Sequence, residues 1–282
     1  PYSVTLNAGQ TYLGRAAAGT DDLTGSLIQS DQPVAVLSGN RCGNVPVGIN
    51  ACDTLLEQLP PTQAWGEKFL TVPYARRTNG DRYRLIASEN GTQVTINGGT
   101  PISLNRGQWT EFVLTASAHI VSNSGHPVQL MQYEHSRRFD TPILLNDPSM
   151  AVIYPYEQYL LDYTISTPTN TGFDPAVFAN AYNYVNITAP DAAVGNVTVD
   201  GTAIPSGQWQ PIGSSGYSFV QYQLTTVGTH RVTGPRPIGV QVYGGGSVTT
   251  YAYPGGMSLA PVALVKYIDV AISNACLLYT SD

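Results

Sequence analysis

The chain repeats itself, and that limits its fold more than any single motif does. Val94-Thr95-Ile96-Asn97-Gly98 returns as Val197-Thr198-Val199-Asp200-Gly201, and Gly107-Gln108-Trp109 returns 100 residues on as Gly207-Gln208-Trp209. His119-Ile120 followed by Pro127-Val128-Gln129-Leu130 returns as His230-Arg231-Val232 followed by Pro237-Ile238-Gly239-Val240. The first residues carry the back half of the same unit, Gly9-Gln10-Thr11-Tyr12 and then Ser30-Asp31-Gln32-Pro33-Val34-Ala35-Val36. A second landmark recurs at 94 residues, Asp53 to Pro60-Pro61 against Asp147 to Pro155, and a third start stands at Gly255 to Leu259. Such a repeat is domain-sized, too long for the short-period solenoids. The two spacings differ by an insertion placed around Thr169 to Ala181, where Asn, Pro and Gly concentrate.

Within each copy, apolar and polar residues alternate in short runs. Examples are Val4-Thr5-Leu6, Tyr83-Arg84-Leu85-Ile86-Ala87, Val128 to Tyr133, Tyr184 to Thr188 and Ile238 to Tyr243. A period of two buries one face of a strand and wets the other. Turn signals such as Asn90-Gly91, Asn97-Gly98-Gly99, Ser124-Gly125 and Asp200-Gly201 separate the runs. The expected fold is all-β, built of tandem antiparallel β-sandwich-like repeats of about 95–105 residues with short helical turns. The divisions expected are 1–41, a partial repeat; 42–140 and 141–255, two sandwiches; and 256–282, a truncated further unit. Asp53-Thr54-Leu55-Leu56-Glu57-Gln58-Leu59 departs from the alternation. An N-capping Asp and good helix formers predict at most two helical turns there before the prolines.

The charge pattern excludes some functions. Charged residues are 11% of the chain and the net charge is −6, so no basic face is offered to nucleic acid. The Thr, Tyr, Gly and Asn that replace charge suit an exported β-protein. Cys42 and Cys52 lie ten apart in one Gly/Pro/Asn-rich loop, without the close second pair that a zinc site uses. They read either as a disulfide in an oxidising compartment or as two buried thiols. The closing Cys276 to Asp282 matches nothing earlier and reads as an artefactual tail, so Cys276 carries no weight. Lys266 and Asp269 interrupt the apolar run 260–278, which argues against a membrane span. The whole reads as an internal fragment of a longer exported protein.

Asp22-Leu23-Thr24-Gly25-Ser26, Gln32 to Gly39, Cys42, the block Cys52 to Pro61, and Trp65-Gly66 together resemble the N-terminal domain of the IgGFc-binding proteins. The resemblance is strongest over residues 5–140, extends more loosely to about 255, and is most specific from Cys52 to Gly66. It implies an extracellular β-module. Animal members of that family are secreted and mucin-like and join this domain to von Willebrand-type modules; bacterial relatives are large exported proteins. The chain shows no von Willebrand cysteine pattern, which places it nearer the bacterial kind.

No constellation for catalysis stands out. There is no Gly-x-Ser-x-Gly elbow, His-Glu-x-x-His helix or phosphate-cradling loop, and Gly244-Gly245-Gly246 lacks the following Lys-Ser/Thr. His119 and His230 sit at matching repeat positions and read as structural; His126 and His135 complete the four. Asp21-Asp22 near Thr24, and Asn146-Asp147, read as turn or cap residues rather than calcium ligands. Trp109 and Trp209, with Tyr12 in that place of the first copy, read as core plugs, the alternative being an exposed platform for sugar rings. Asn90, Asn186 and Asn196 fit the N-glycosylation sequon.

One feature belongs to one copy only. Arg76, Arg77, Arg82 and Arg84 flank the Asn79-Gly80-Asp81 turn, and Arg137-Arg138 follow a strand of the same unit. Arginine forks bind carboxylate and sulfate in bidentate fashion, so these six are the candidate ligand-binding residues. The contrary reading pairs them with Asp81, Glu89, Glu134 and Asp140. The function expected is an extracellular adhesion or binding module of a large surface or secreted protein, not an enzyme. It would need no cofactor or metal, and its partner would be an acidic glycan or an extracellular protein. A structural stalk without its own ligand is the first rival, and a carbohydrate-active enzyme with two facing carboxylates the second.

Overall fold

The computed structural model describes residues 2–18, 21–140, 147–168, 182–246 and 249–259. Alternation becomes antiparallel pairing at every ladder. Strands β1 (Leu37–Gly43) and β2 (Asp53–Gln58) form a hairpin. The first sandwich follows: β3 (Lys68–Thr71), β4 (Asp81–Ala87), β5 (Thr92–Ile96), β6 (Ile102–Leu104), β7 (Trp109–Leu114), β8 (Ala118–Ser122), β9 (Val128–Tyr133) and β10 (Met150–Ile153). One sheet runs β10-β9-β4-β7 and the other β3-β8-β5-β6. Along β4, Asp81, Tyr83, Leu85 and Ala87 are buried while Arg82, Arg84 and Ile86 are half-buried on the outer face. Tyr83, Leu85, Val128, Leu130 and Ile153 of the first sheet meet Phe69, Val94, Leu104 and Ile120 of the second in one core. Facing rows like these are what makes two sheets a sandwich.

The second unit repeats that order. Its strands are β11 (Leu160–Thr167), β12 (Tyr182–Pro190), β13 (Thr198–Val199), β14 (Thr202–Ala203), β15 (Gln210–Pro211), β16 (Tyr217–Leu224), β17 (Gly228–Gly246) and β18 (Thr249–Pro254). The run β14-β13-β17-β11 matches β6-β5-β8-β3, and β16-β12-β17-β18 matches β7-β4-β9-β10. β17 serves in both because it fuses the counterparts of β8 and β9 into one strand of 19 residues. The β15–β16 hairpin is additional to the first unit's plan. The insertion expected at 169–181 lies outside the described residues, as do most of the further unit and its tail.

Four local expectations are corrected. Asp53–Gln58 is a strand rather than a helix, because pairing with Leu37–Gly43 supplies every residue but Thr54 with a sheet partner and overrides helix propensity. Val4-Thr5-Leu6 is not a strand, and none occurs among the described residues from 2 to 36. Trp209 is a core residue, but Trp109 lies outside at 37% exposure. Trp109 pairs with Ile86 on the outer face of its sheet, whereas a 3₁₀ turn at Ser206–Gln208 swings Trp209 inward. Met150–Ile153, placed by sequence at the head of the second unit, bonds to β9 and so lies in the first sheet.

The sandwiches pack together rather than hang as beads. The chain leaving β3 runs through Val72-Pro73-Tyr74-Ala75 and lies across the outer face of the β12-β16-β17 sheet. Asn186 Nδ2 donates to the Val72 and Pro73 carbonyls at 3.2 Å, and Gln221 Nε2 donates to the Pro73 carbonyl at 2.8 Å. Gln241 Nε2 donates to the Tyr74 hydroxyl, and the Ala75 N–H donates to the Tyr243 hydroxyl at 2.9 Å. Leu70, Val72, Ile212 and Phe219 form an apolar patch beside these bonds.

Candidate functional site

Three loops converge at one end of the first sandwich. The loop between β1 and β2 is closed by a Cys42–Cys52 disulfide with Cα atoms 5.0 Å apart, which settles the pairing left open by sequence. Val45, on a cis Val45–Pro46 bond, is the loop's buried foot: its N–H donates to Ser136 Oγ at 3.1 Å and its carbonyl accepts from the Ser136 N–H at 2.7 Å. Val47, nearer the tip, is 96% exposed.

Ser136 opens the second loop, which carries Arg137 and Arg138 in a 3₁₀ turn followed by Asp140. Asp140 is the hinge to the third. Its Oδ1 accepts from the Thr78 and Asn79 backbone N–H groups at 3.1 and 3.0 Å, and its Oδ2 takes the Arg77 guanidinium. Burial pushes the Asp140 carboxyl up, but the Asn79 amide and Arg77 outweigh it and hold it below its ordinary range.

The six arginines therefore fall into distinct settings. Arg77 has a fully buried side chain held by Glu134 at 3.2 Å, by Asp140 and by the His135 carbonyl. Arg82 and Arg84 stand on the outer sheet face, both bonded to Glu111. Arg84 also reaches Asp22 at 2.8 Å and lies 4.2 Å over the Trp109 ring. Arg137 is 3.7 Å from Asp147. Arg76 and Arg138 are exposed, Arg76 stacking 4.8 Å over Tyr182. The fold brings the Arg76–Arg77 and Arg137–Arg138 turns together through Asp140 and keeps Arg82 and Arg84 on the sheet.

Beneath the loops lies a buried polar layer that sequence did not single out. Asp81 Oδ2 accepts from the Tyr74 N–H at 2.6 Å and from Gln132 Nε2 at 2.8 Å. Burial, the largest influence, lifts its pKa from 3.8 to about 8. His135 donates Nδ1–H to the Gly80 carbonyl at 2.8 Å and packs on Phe139; burial lowers its pKa from 6.5 to about 4. The signs oppose. Folded Asp81 holds a proton that the unfolded chain has lost above pH 3.8, so its contribution is complete below that value and is lost as the pH rises through about 8. The contribution of His135 is complete above pH 6.5 and is lost as the pH falls through about 4. Between pH 6.5 and 8, Asp81 is the one of the two that changes. The urea midpoint is expected to fall across that window and to stay flat in Asp81→Asn; equal slopes in the two proteins would show that Asp81 does not titrate there.

His119 and His230 are not equivalents after all. Ile120 pairs with Ile96 as Val232 pairs with Val199, which sets Arg231, not His230, opposite the place of His119. His230 instead faces inward, bonded to Asp200 at 2.7 Å and to the Thr226 carbonyl at 3.1 Å. Asn186, a sequon residue, is buried between the sandwiches, whereas Asn90 and Asn196 are exposed. A cavity of about 40 Å³ between the units, lined by Leu70, Tyr159, Thr188 and Gln241 among others, has room for little more than water. Among the described residues, no helix is long and apolar enough to cross a membrane.

Fold and loops define a tandem β-sandwich module whose distinctive side chains lie on a disulfide-closed loop cluster. The chain belongs to the IgGFc binding protein family, whose sequence model matches residues 1–244. A relative, the IgGFc-binding protein of Homo sapiens, is 26% identical over 240 residues, which is 82% of this chain and 4% of that protein's length. Two solved structures cover 67% of this chain and 81% of their own at 10% identity: an anti-sigma factor domain-containing protein and another of that description from Clostridium clariflavum. Their TM-scores are 0.18 and 0.17, too low to carry any structural equivalence.

Proposed function

We propose that the chain is an extracellular module that binds a protein partner through the three-loop cluster, with Val47, Arg76 and Arg138 as its contact residues. The observation that carries this reading is the convergence itself. An exposed apolar tip on a disulfide-closed loop is anchored beside two arginine-bearing turns, and all three rest on a rigid scaffold, where recognition loops are usually carried. Family membership supplies the partner class, since the human relative is named for binding immunoglobulin Fc. The disulfide agrees with an oxidising, extracellular setting. The acidic-glycan reading has little to support it, because Arg77, Arg82, Arg84 and Arg137 are already paired with carboxylates of the chain.

The test is surface binding of immunoglobulin Fc, mucins and sulfated glycans at low and physiological salt. The expected result is binding to a protein ligand that Val47→Asp with Arg76→Ala and Arg138→Ala weakens at least about tenfold, or 1.4 kcal/mol, while the unfolding midpoint stays within about 0.5 kcal/mol of the parent, as for other exposed positions. Protein binding untouched by the triple variant would relocate the site, and binding confined to glycans would overturn the partner class. The stalk reading is favoured by the hydrogen-bonded junction between the sandwiches; it expects no ligand and silent substitutions.

A further inference from the structure

Residues 2–36 and the β1–β2 hairpin correspond strand for strand to part of a sandwich. In the hairpin Leu37 pairs with Gln58 and Gly39 with Leu56; in the first sandwich Met131 pairs with Val152 and Tyr133 with Met150. Each residue of the second set lies 94 positions after its counterpart, so β1–β2 reproduces β9–β10 in register. Further upstream, Asn7-Ala8-Gly9-Gln10 copies the turn Asn105-Arg106-Gly107-Gln108. The Asn7 N–H donates to Gln10 Oε1 at 2.8 Å and the Gln10 N–H to the Asn7 carbonyl at 3.0 Å; the same two bonds at Asn105 and Gln108 measure 2.7 and 2.8 Å. Gly9 and Gly107 share positive φ, 81° and 76°. Val4–Leu6 thus stands in the place of β6, the residues after Gln10 in that of β7, and Ser26-Leu27-Ile28 precedes its Pro-Val strand as β8 precedes β9.

Sheet order explains why only one pair has formed. In the first sandwich β6 pairs with β5, β7 with β4, β8 with β3 and β5, and β9 with β4 and β10. Take away β3, β4 and β5, and the one ladder that survives is β9–β10. That is the one ladder among the described residues of 2–58. The apolar residues of the unformed strands are correspondingly exposed: Val4 48%, Leu6 42%, Tyr12 53%, Leu27 60%, Ile28 62% and Val34 56%. Leu104, the counterpart of Leu6, is 8% exposed.

We infer that residues 2–58 are five strands of a third sandwich, and that a polypeptide segment of the β3–β4–β5 type docks on them and completes it. The edge of β1 away from β2 takes the β4-like strand, as β9 takes β4 and β17 takes β12. Counting back from Leu6 and Leu104, Pro1 stands where Gly99 does. A copy of residues 66–98 fused directly to Pro1 therefore delivers the missing strands at their natural spacing.

The experiment compares amide hydrogen exchange in the full chain, in that fusion, and in a fusion whose added copy carries Leu85→Asp and Val94→Asp on its inward face. In the first fusion, exchange at residues 4–6, 11–15, 27–30 and 34–37 should slow on the order of a hundredfold or more, as for amides entering a stable core. The parent and the aspartate fusion should keep fast exchange there. Unchanged exchange at 2–36, with residues 66–153 still protected, overturns the inference, as does equal protection in both fusions. Concentration-dependent protection in the unfused chain would instead assign the donor strands to a second copy. If the fusion does not fold, residues 66–98 added as a peptide in trans are read at the same amides, and fast exchange at saturating peptide overturns it.

Discussion

Arg77→Met is expected to destabilise the protein by about 3–5 kcal/mol, the range for removing one partner of a buried charge group. The side chain is fully buried and its guanidinium is the cation shared by Glu134, itself 2% exposed in its side chain, and Asp140, whose side chain is fully buried. Methionine fills much of the space, so the loss reports charge rather than a cavity. Asp140 keeps its bonds from Thr78 and Asn79, but the guanidinium that offsets its charge and that of Glu134 is then gone. Arg138→Ala, exposed, should stay within about 0.5 kcal/mol, and Arg82→Ala, half-buried on Glu111, within about 1 kcal/mol. Urea unfolding at pH 7 measures all three. A loss under 1 kcal/mol for Arg77→Met would mean the pair is solvated and that the loop cluster lacks the charged pin assigned to it. Asp140→Asn in the Arg77→Met background should recover part of the loss by removing one of the two charges that Arg77 offsets.

Those three arginines show where sequence information stops. Residue type and spacing put all six in one group, because a sequence lists neighbours along the chain and not the side of a strand or the depth of a turn. The alternation of β4 does reveal that Arg82 and Arg84 share the outer face. Nothing local reveals that Arg77 turns inward, since its burial depends on Asp140, 63 residues away. Val47 was missed for a similar reason. An apolar residue in a loop is unremarkable until the disulfide and the Val45–Ser136 bonds show that the loop is pinned and its tip free.

The fold was more legible, because alternation and repetition are nonlocal statements that a sequence carries directly. They give the all-β antiparallel plan, and family membership over residues 1–244 agrees with the resemblance seen in the Cys52-to-Gly66 block. Legibility failed where pairing overrode propensity. Asp53–Gln58 has a capping residue and helix formers, and becomes a strand because β1 is there to pair with it. It failed in the opposite sense at Val4–Leu6, where the alternation is right but no strand pairs with it among the described residues. A one-residue slip also sufficed to misassign His230, since neighbours on a strand face opposite sides. Residue identity suggested His119 as its equivalent; the ladder matches His119 to Arg231 instead.

Tyr243→Ala is expected to lose about 3–5 kcal/mol, as for other large buried aromatics, and to separate one cooperative unfolding transition into two. Tyr243 is on the outer face of β17, beside Gln241, while Val240 and Val242 point into the second core. Its ring lies 4.6 Å from Tyr74 of the first unit and 5.8 Å from Tyr184 of its own. Its hydroxyl accepts from the Ala75 N–H and donates to Asn186 Oδ1, both at 2.9 Å. Truncation therefore empties the junction and strands the part-buried Ala75 N–H without touching either core, so each sandwich should keep its fold and lose its neighbour. Tyr243→Phe preserves the stack and removes only the hydroxyl; it should cost about 1–3 kcal/mol, the penalty for buried polar groups left unpaired, and keep a single transition. Calorimetry distinguishes these results. If Tyr243→Ala unfolds as cooperatively as the parent, the coupling runs instead through the Leu70, Val72, Ile212 and Phe219 patch, and Phe219→Ala becomes the substitution that separates the units.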